Sequence, residues 1–526
     1  MHHSMLRRCR VPQRPVARLC AALATACMLP LAALAAALPA PPQTFDSSYH
    51  APTGAIHRVA AGASLQAALD TAKLGDTIVL QAGATFRGPF RLPNKTVGSG
   101  WIYVVSSNLS SLPAAGTRVS PANATNMPKV LAPNGLSALV TVAGSHHFRF
   151  VGIELAPEPG TTQIYQVVAI GNADTSPATL AHHIVFDRCY VHGIANSSDR
   201  RGIEMDGAYV AVVDSYISGF QDISTLADSQ GLWAYNTTGP LQIHNNYIEA
   251  ASENVLFGGS DSRASTLVPT SIEISGNYFY KPLSLISSGY AVKNLLEFKA
   301  ARRVLVTGNT FQNNPAKSQN GFALLITPRN GGKAPWTVTS DIAIVDNRFI
   351  NVGSGFNLMG RDANPTLLTQ RLLIRDNVVG VTGLNGAAGR AFQFIDGGSD
   401  YTITHNTIID TAPGASDVAM ADTAASKVAN LVFTNNLATF TAYGFFGSGV
   451  GEGTRALNGD FTYWTFSKNV LVGRPAGYYP SGNFFPASVA AVGFVNYAGG
   501  NYALAASSPY KDAGTDGADI GAILVP

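Results

Sequence analysis

The stretch IHNNYI at residues 243–248 decides the fold, because its pattern returns about every thirty residues along the chain. An apolar residue is followed by two variable positions, an asparagine, another variable position and a second apolar residue. The pattern recurs as ISGNYF (274–279), VTGNTF (306–311), IVDNRF (344–349), IRDNVV (374–379), ITHNTI (403–408), FTNNLA (433–438) and FSKNVL (466–471). Upstream, FDRCYV (186–191) and VVDSYI (212–217) carry Cys189 and Ser215 at the asparagine position.

Spacings of 29 to 38 residues separate the aligned asparagines, which are Asn246, Asn277, Asn309, Asn347, Asn377, Asn406, Asn436 and Asn469. This period, with short alternating strands and turn residues between them, predicts a solenoid. The leucine-rich consensus of one solenoid class is absent, and propeller blades need longer periods. We therefore predict an all-β chain, a right-handed single-stranded parallel β-helix of about eleven coils. The asparagines would stack as a ladder of side-chain amides, with Cys189 as a small buried substitute.

The N-terminal segment carries a different signal. Five arginines precede an apolar stretch at 19–38, namely Arg7, Arg8, Arg10, Arg14 and Arg18. Small residues at 33–37 then offer cleavage sites, so residues 1–40 are predicted to be a secretory signal peptide, with a retained membrane anchor as the alternative. Its removal leaves 30 basic and 32 acidic residues, a net charge of −2, and one cysteine. We expect a secreted or periplasmic monomer without internal disulfides and without a nucleic-acid-binding surface.

The remaining chain, residues 45–526, is predicted to form one β-helix domain. Strand edges at the ends of a solenoid need covering. Residues 63–90 place apolar residues at helical spacing before the strand GDTIVL, which predicts a helical N-terminal cap. The Gly- and Asp-rich residues 484–526 would cover the other end.

At this point the chain resembles a known group. The segments SLQAALDTAKLGDTIVLQAG (64–83), DSQGLWAYNTTGPLQIHNNYIEAASENVLFGGSD (228–261) and SSPYKDAGTDGADIGA (507–522) are similar to secreted right-handed parallel β-helix proteins of the pectate-lyase-like superfamily. The resemblance implies a carbohydrate-active protein, since that superfamily contains polysaccharide lyases, hydrolases, esterases and epimerases, with a minority of adhesins. The aspartate cluster of polygalacturonases and the Arg-x-Pro-x-x-Arg pattern of the main pectate lyases are absent.

Two acids on one strand are candidates for hydrolysis. In GIEMD (202–206), Glu204 and Asp206 point to the same face, with Cβ atoms ~6.5–7 Å apart. Such a separation suits inverting glycoside hydrolysis, in which one carboxyl protonates the leaving oxygen and the other activates water. The alternative is a solvated pair of edge carboxylates without a catalytic role.

A lyase would use other residues. Lys299 beside Glu297 would supply a base, although a surface ion pair is the alternative. Substrate would be bound by a set of basic and aromatic residues, namely Lys281, Lys293, Arg302, Arg329 and Trp336. Hard oxygen ligands for Ca²⁺ would come from Asp228, Glu253 and Asp261, with Asp206 as a further candidate. The histidine pairs at 146–147 and 182–183 match no metal-binding spacing.

The sequence thus favours β-elimination of a uronate-containing polysaccharide, on a strand face spanning residues 200–300. An inverting glycoside hydrolase is the first alternative, and a non-catalytic glycan-binding or surface protein is the second. A column of tyrosines after the ladder position is interpreted as structural packing; its members are Tyr190, Tyr216, Tyr247 and Tyr278.

Overall fold

The strands before and after each ladder asparagine belong to two different parallel sheets in the computed structural model, which describes residues 36–171, 174–414, 416–423 and 426–523. Residues 1–35 of the predicted signal peptide, with Cys9, Cys20 and Cys27, lie outside the described residues. Across the described ranges, no helix is both long enough and apolar enough to cross a membrane.

Three long sheets contain nearly all of the strands. Sheet 1 holds the strands before the ladder position, which are Ile56–Val59, Thr77–Leu80, Ile102–Ser106, His146–Val151, His182–Asp187, Ala208–Val213, Leu241–His244, Thr270–Ser275, Ala301–Thr307, Thr339–Val345, Gln370–Arg375, Ser399–Thr404, Ala429–Thr434 and Trp464–Ser467. Sheet 2 holds those after it, which are Thr85–Arg87, Lys129–Ala132, Glu154–Pro157, Tyr190–His192, Tyr216–Phe220, Tyr247–Ala250, Tyr278–Tyr280, Thr310–Asn314, Arg348–Val352, Val378–Val381, Thr407–Asp410, Leu437–Ala438 and Val470–Leu471.

Sheet 3 closes each coil. Its strands are Phe90–Leu92, Leu139–Thr141, Val168–Ile170, Arg201–Met205, Gln230–Ala234, Glu253–Phe257, Leu296–Phe298, Phe322–Ile326, Ser354–Met359, Arg390–Ile395, Asp417–Asp422, Phe445–Gly447 and Gly451–Glu452. Two further strand pairs are Gln163–Ile164 with Ser198–Asp199, and Phe494–Asn496 with Asn501–Leu504. The α-helices are Leu65–Thr71 and Thr454–Asp460, and the 3₁₀ turns are Leu109–Ser111, Pro121–Asn126, Pro177–Thr179, Ser265–Leu267, Leu283–Ser287, Leu384–Gly386, Ala476–Tyr478 and Val489–Val492.

Each coil runs through sheet 1, sheet 2 and sheet 3 before it returns to sheet 1 one coil further along. Apart from the last pair of sheet 3, neighbouring strands in the three sheets are parallel, and parallel strands take right-handed connections. The protein is therefore an all-β right-handed parallel β-helix, as predicted. Sheet 2 has thirteen described strands rather than the expected eleven, because its first three precede Cys189 and lack the asparagine motif.

Asparagine side chains join consecutive coils at the turn between sheets 1 and 2. The Oδ1 atom of Asn277 accepts hydrogen bonds from the backbone N–H (2.8 Å) and the side-chain amide (3.0 Å) of Asn246. The same two bonds repeat at every rung up to Asn469, whose acceptor is Asn483. The predicted ladder is confirmed, and Asn483 adds a rung that the sequence pattern does not contain.

The residue just before each ladder position has a left-handed backbone, which turns the chain from sheet 1 into sheet 2. The φ angle is 52° at Asn245, 65° at Gly276 and 59° at Asp346. Glycine, asparagine and aspartate adopt this conformation more easily than other residues. The recurrence of these residue types at that position therefore has a backbone cause.

Cys189 occupies a ladder position and is fully buried. Its backbone N–H donates to Ser215 Oγ at 2.9 Å, so the rung continues with a hydroxyl in place of an amide. Burial raises the pKa of the thiol to about 12. The thiol is therefore a packing group rather than a nucleophile.

Stacked rows of apolar side chains fill the interior of the coils. The rings of Phe279, Phe311 and Phe349 from consecutive coils of sheet 2 lie 4.5 and 4.6 Å apart between centroids. Each such fully buried ring contributes roughly 1.5–3 kcal/mol relative to exposure. The predicted tyrosine column lies in register on the same sheet and is half-buried; its members are Tyr190, Tyr216, Tyr247 and Tyr278.

Apolar residues also cover the two ends of the coil stack. Helix Leu65–Thr71 contacts strands Ile56–Val59 and Phe90–Leu92, and Leu65 and Leu69 are buried in the main core. At the other end a separate apolar cluster covers the last coil; it includes Val470, Val492, Leu504 and Ile520.

Candidate functional site

The outward face of sheet 3 carries the acidic residues that the sequence singles out. The strand register pairs Glu204 with Trp233, Trp233 with Leu256 and Leu256 with Glu297. These four residues therefore occupy equivalent positions on consecutive coils, and three coil spacings put Glu204 and Glu297 ~14 Å apart. The intervening residues point inward, as Met205 does after Glu204. The face forms a straight row along the axis of the β-helix.

A cleft of about 620 Å³ lies over the N-terminal part of this face. Its lining includes Glu204, Arg201, Trp233, Tyr235 and Tyr165. The rings of Trp233 and Tyr235 stack with centroids 4.6 Å apart, and the Arg201 guanidinium lies 3.9 Å above the Trp233 ring. Aromatic faces beside a cation suit the apolar faces and negative groups of an acidic sugar.

Glu204 and Asp206 are almost completely buried, with 2% and 0% of their surface exposed. Asp206 Oδ1 accepts hydrogen bonds from the backbone N–H groups of Tyr235 (2.7 Å) and Asn236 (2.9 Å). Burial, and then the negative charge of Asp206, raises the pKa of Glu204; burial also raises the pKa of Asp206. Glu204 lines the cleft and Asp206 does not. The pair therefore presents one carboxyl that retains its proton, with a second carboxyl behind it.

A chain of polar contacts continues from Arg201 along the sheet. Arg201 Nε donates to Gln230 Oε1 at 3.0 Å, and Gln230 Nε2 donates to Glu253 Oε2 at 2.8 Å. Lys293 Nζ lies 3.7 Å from Glu253 Oε1 and 2.6 Å from Asp228 Oδ1. Burial by itself would lower the pKa of Lys293, but the carboxylates of Glu253 and Asp228 outweigh this effect, and the pKa is raised. Lys293 is therefore a fixed ammonium on the outward face.

The polar groups around Glu297 adjoin a second cleft of about 280 Å³. Glu297 accepts hydrogen bonds from Asn294 Nδ2 at 3.0 Å and from Thr327 Oγ1 at 3.1 Å. Lys299 Nζ lies 3.6 Å from Glu297 Oε1, and 10% of the Lys299 side chain is exposed. The predicted ion pair exists, but it is largely buried rather than on a solvated surface.

Two predicted substrate-binding residues lie away from this face. Lys281 is fully buried, and its ammonium donates to the backbone oxygens of Ala250, Ala251 and Ser252 and to Asn254 Oδ1. It ties together the turn between sheets 2 and 3 and has no access to the clefts. Arg302, in strand Ala301–Thr307 of sheet 1, lines a different depression with its neighbours Arg303 and Asp341. The sequence prediction placed it near Lys299 because the turn between the two sheets is short.

The three predicted calcium ligands are not brought together. Asp228 and Glu253 both pair with Lys293, whose ammonium occupies the place a cation would take. Asp261 instead accepts a hydrogen bond from the backbone N–H of Gly331 at 2.7 Å. Over the described residues, the only group of three or more His, Cys, Asp or Glu side chains close enough to share a metal consists of histidines. The donor set on sheet 3 does not fit calcium, and no reaction step is derived through it.

Arg329 and Trp336 lie on the loop between sheets 3 and 1. Arg329 lines the second cleft and pairs with Asp362, with 2.6 Å between Nε and Oδ2. Trp336 is half-buried; its Nε1–H donates to Ser262 Oγ at 2.8 Å, which fastens this loop to the 261–270 segment. Arg329 therefore remains a candidate substrate contact, whereas Trp336 positions the loop.

Several polar residues of this face do not follow from the sequence prediction. Arg201 and Gln230 are in register with the predicted Glu253, three residues before the row that contains Glu204. The alignment that places Glu204 and Glu297 would also have placed this second row. The strand alignment could not have placed Asn294 and Thr327 beside Glu297, because both residues lie outside the strands.

The chain matches no protein-family model and no curated protein. Solved structures with a similar fold include the PL6-family alginate lyase AlyGC, at 15% sequence identity and a TM-score of 0.49, covering 90% of this chain and 59% of that chain. An alginate lyase from Paenibacillus sp. str. FPU-7 has 14% identity and a TM-score of 0.36, covering 70% of this chain and 93% of that one.

The A-module of the mannuronan C-5 epimerase AlgE4 from Azotobacter vinelandii has 13% identity and a TM-score of 0.37, covering 77% of this chain and 94% of that one. At these identities the similarity describes the path of the chain and assigns no activity.

Proposed function

We propose that the protein cleaves a uronate-containing polysaccharide by β-elimination on the outward face of sheet 3. The observation that carries the proposal is the run of basic side chains along this face, with Arg201, Lys293 and Lys299 each held by a buried polar partner. The coil spacing of ~4.8 Å is close to the length of one sugar unit, so consecutive sugars would lie over consecutive coils.

In this proposal Lys299 is the base, and the guanidinium of Arg329 neutralises the uronate carboxylate. Lys299 Nζ takes the proton from C5, and the electron pair of that C–H bond forms the C4–C5 double bond. The C4–O bond breaks with its electrons on the glycosidic oxygen, to which the lysine then returns the proton. Glu297 would orient the Lys299 side chain, which enters the step as the free amine, because Asn294 and Thr327 fix the carboxylate. Trp233 and Arg201 lie two and three coils away and would bind sugars about two and three units away.

Hydrolysis by Glu204 and Asp206 is a second candidate, because Glu204 faces the larger cleft in a form that holds its proton, as a general acid must. Inverting hydrolysis also needs a second carboxylate that reaches the water beneath the sugar. Asp206 is fully buried and accepts two backbone N–H bonds, which argues against that role. A binding protein without catalysis would use the same clefts.

The test is to incubate the purified protein with polyuronates and with neutral polysaccharides. Ultraviolet absorbance from unsaturated uronates and the number of reducing ends are followed together. The proposal expects both to rise on a polyuronate, to persist in chelator, and to be lost in Lys299→Ala. Lys73→Ala, which changes an exposed lysine near the N-terminal helix, is the matched control and should retain activity.

Each other outcome excludes elimination by Lys299. Reducing ends without absorbance would refute elimination and favour Glu204 as a hydrolytic acid. If the Lys299→Ala variant still produces the absorbance, another residue acts as the base. Binding of a polyuronate with neither signal would support a glycan-binding protein. Cleavage of an extracellular polysaccharide would accord with export through the predicted signal peptide, which a secretion assay of the full chain would test.

A further inference from the structure

Two pairs of consecutive histidines lie side by side on sheet 1, away from the clefts. Strands His146–Val151 and His182–Asp187 each begin with such a pair, and the register places His182 beside His146. Consecutive residues of an extended strand point to opposite faces. Here the second histidine of each pair has a left-handed backbone, with φ of 59° at His147 and 56° at His183, and this brings both rings of a pair to the same side.

The four rings form a compact block. His146 stacks on His182 with centroids 4.9 Å apart and planes 2° apart, and His147 stacks on His183 at 4.4 Å and 4°. Within each pair the two Nδ1 atoms are 2.8 Å apart. Adjacent coils are ~4.8 Å apart, so the two Nδ1 pairs lie one coil apart on the same side of the sheet. Ligand atoms of His147, His182 and His183 all lie within 4.8 Å of one another.

A hydrogen bond to a backbone oxygen fixes the orientation and the tautomer of the His146 ring. His146 Nε2 lies 2.8 Å from the backbone oxygen of Lys95, which can only accept, so Nε2 carries the proton. Its Nδ1 is therefore unprotonated and accepts a hydrogen bond from His147 Nδ1, 2.8 Å away. Metal-binding histidines commonly have this arrangement, in which the distal N–H donates to a backbone carbonyl and fixes the tautomer.

The surroundings partly shield the rings, and all four are half-buried. The ring of Trp101 lies 5.2 Å from that of His147, and Phe45 lies 5.9 Å from His183. Neutral imidazoles without carboxylates favour zinc, nickel or copper over calcium or magnesium.

We propose that His146, His147, His182 and His183 form a binding site for one divalent transition-metal ion of the zinc, nickel and copper class. Small rotations of the rings would bring ring nitrogens to within the ~2.0–2.1 Å of a shared ion that zinc requires. The ion would link two adjacent coils near the segment that carries Phe45. The site lies on sheet 1 and is independent of the proposed chemistry on sheet 3.

Trp101 provides a direct readout of the site. Cu²⁺ or Ni²⁺ added to the metal-free full chain should quench the fluorescence of Trp101, whereas the other tryptophans, Trp233, Trp336 and Trp464, lie in other parts of the chain. Calorimetry with Zn²⁺ should give one ion per chain and a higher melting temperature. Trp101→Phe should remove most of the quenching but leave the calorimetric binding intact.

The double variant His147→Gln, His183→Gln should weaken Zn²⁺ binding by at least about 100-fold, because it removes two ligands. His244→Gln changes an exposed histidine elsewhere on sheet 1 and should bind as the unmodified chain does. Melting without metal establishes that each variant is folded. Absence of binding by the unmodified chain, or unchanged binding by the folded double variant, would overturn the proposal. Weak binding lost equally in His244→Gln would identify adventitious surface sites and overturn it as well.

Discussion

Replacement of Asn309 by alanine tests how much the ladder contributes to stability. Asn309 Oδ1 accepts hydrogen bonds from the backbone N–H (2.9 Å) and the side-chain amide (3.0 Å) of Asn277. Its own amide donates to the backbone oxygens of Ile274 (2.9 Å) and Thr307 (3.0 Å) and to Asn347 Oδ1 (2.9 Å). Asn309→Ala removes all five contacts in a region where water cannot replace them.

The expected loss follows from these contacts. The buried N–H of Asn277 is left without its acceptor, which costs about 1–3 kcal/mol. The other lost bonds and the small cavity add roughly 1–2 kcal/mol. We expect the free energy of unfolding to fall by about 3–4 kcal/mol, measured by urea titration with circular dichroism.

A graded series separates the hydrogen bonds from simple loss of volume. Asn309→Ser retains an acceptor, as Ser215 does for the N–H of Cys189 in the native chain, so it should lose about half as much. Asn364→Ala removes one exposed contact to Asn330 and should change stability by less than about 0.5 kcal/mol. A loss below about 1 kcal/mol for Asn309→Ala, or equal losses for the alanine and serine variants, would refute the reasoning.

Three further results are expected. The pKa values of Glu204 and Asp206 are raised in the folded chain, so these carboxyls keep protons at a pH where the unfolded chain has released them. The free energy of unfolding should therefore fall as the pH rises from about 5 to 7. The slope is about 1.4 kcal/mol per pH unit per retained proton, and urea titrations of Glu204→Gln should show a flatter profile. Trp233→Ala, which removes the surface under Arg201, should raise KM for a polyuronate about tenfold with little change in kcat; an unchanged KM would place the sugars elsewhere. Cys189 should resist alkylation until denaturant is added, as read by peptide mass mapping, and rapid native labelling would contradict its buried placement.

The fold was predictable because the ladder repeats on a fixed period. Each asparagine is specified by the same local turn, so the motif around Asn246 also predicts the turn at Asn436. The sequence pattern does not include Asn483, because this residue follows Asn469 after only 14 residues and has no sheet 1 strand before it. The same period and the alternation of strand residues, applied to Glu204, also lead to Glu297 three coils further along.

The predictions for the site residues were less accurate where contacts outside the strands determine the position of a side chain. Nothing in the sequence around Lys281 indicates that its ammonium turns inward to three backbone oxygens. The burial of Asp206 depends on the backbone of Tyr235 and Asn236, one coil away. The histidine pairs match no metal-binding spacing in the sequence, because the left-handed φ that aligns their rings has no clear sequence signal.

The pairing pattern also has an evolutionary consequence. Apart from the last, antiparallel pair of sheet 3, each strand of the three sheets pairs with the equivalent strands of the preceding and following coils. Duplication of one thirty-residue unit would therefore insert a complete coil whose asparagine accepts from one neighbour and donates to the next. The face of sheet 3 would become longer by ~4.8 Å, which is about one sugar. If sheet 3 binds a glycan as proposed, a gene encoding this chain could change the length of the bound glycan in whole-sugar steps, without rebuilding either end.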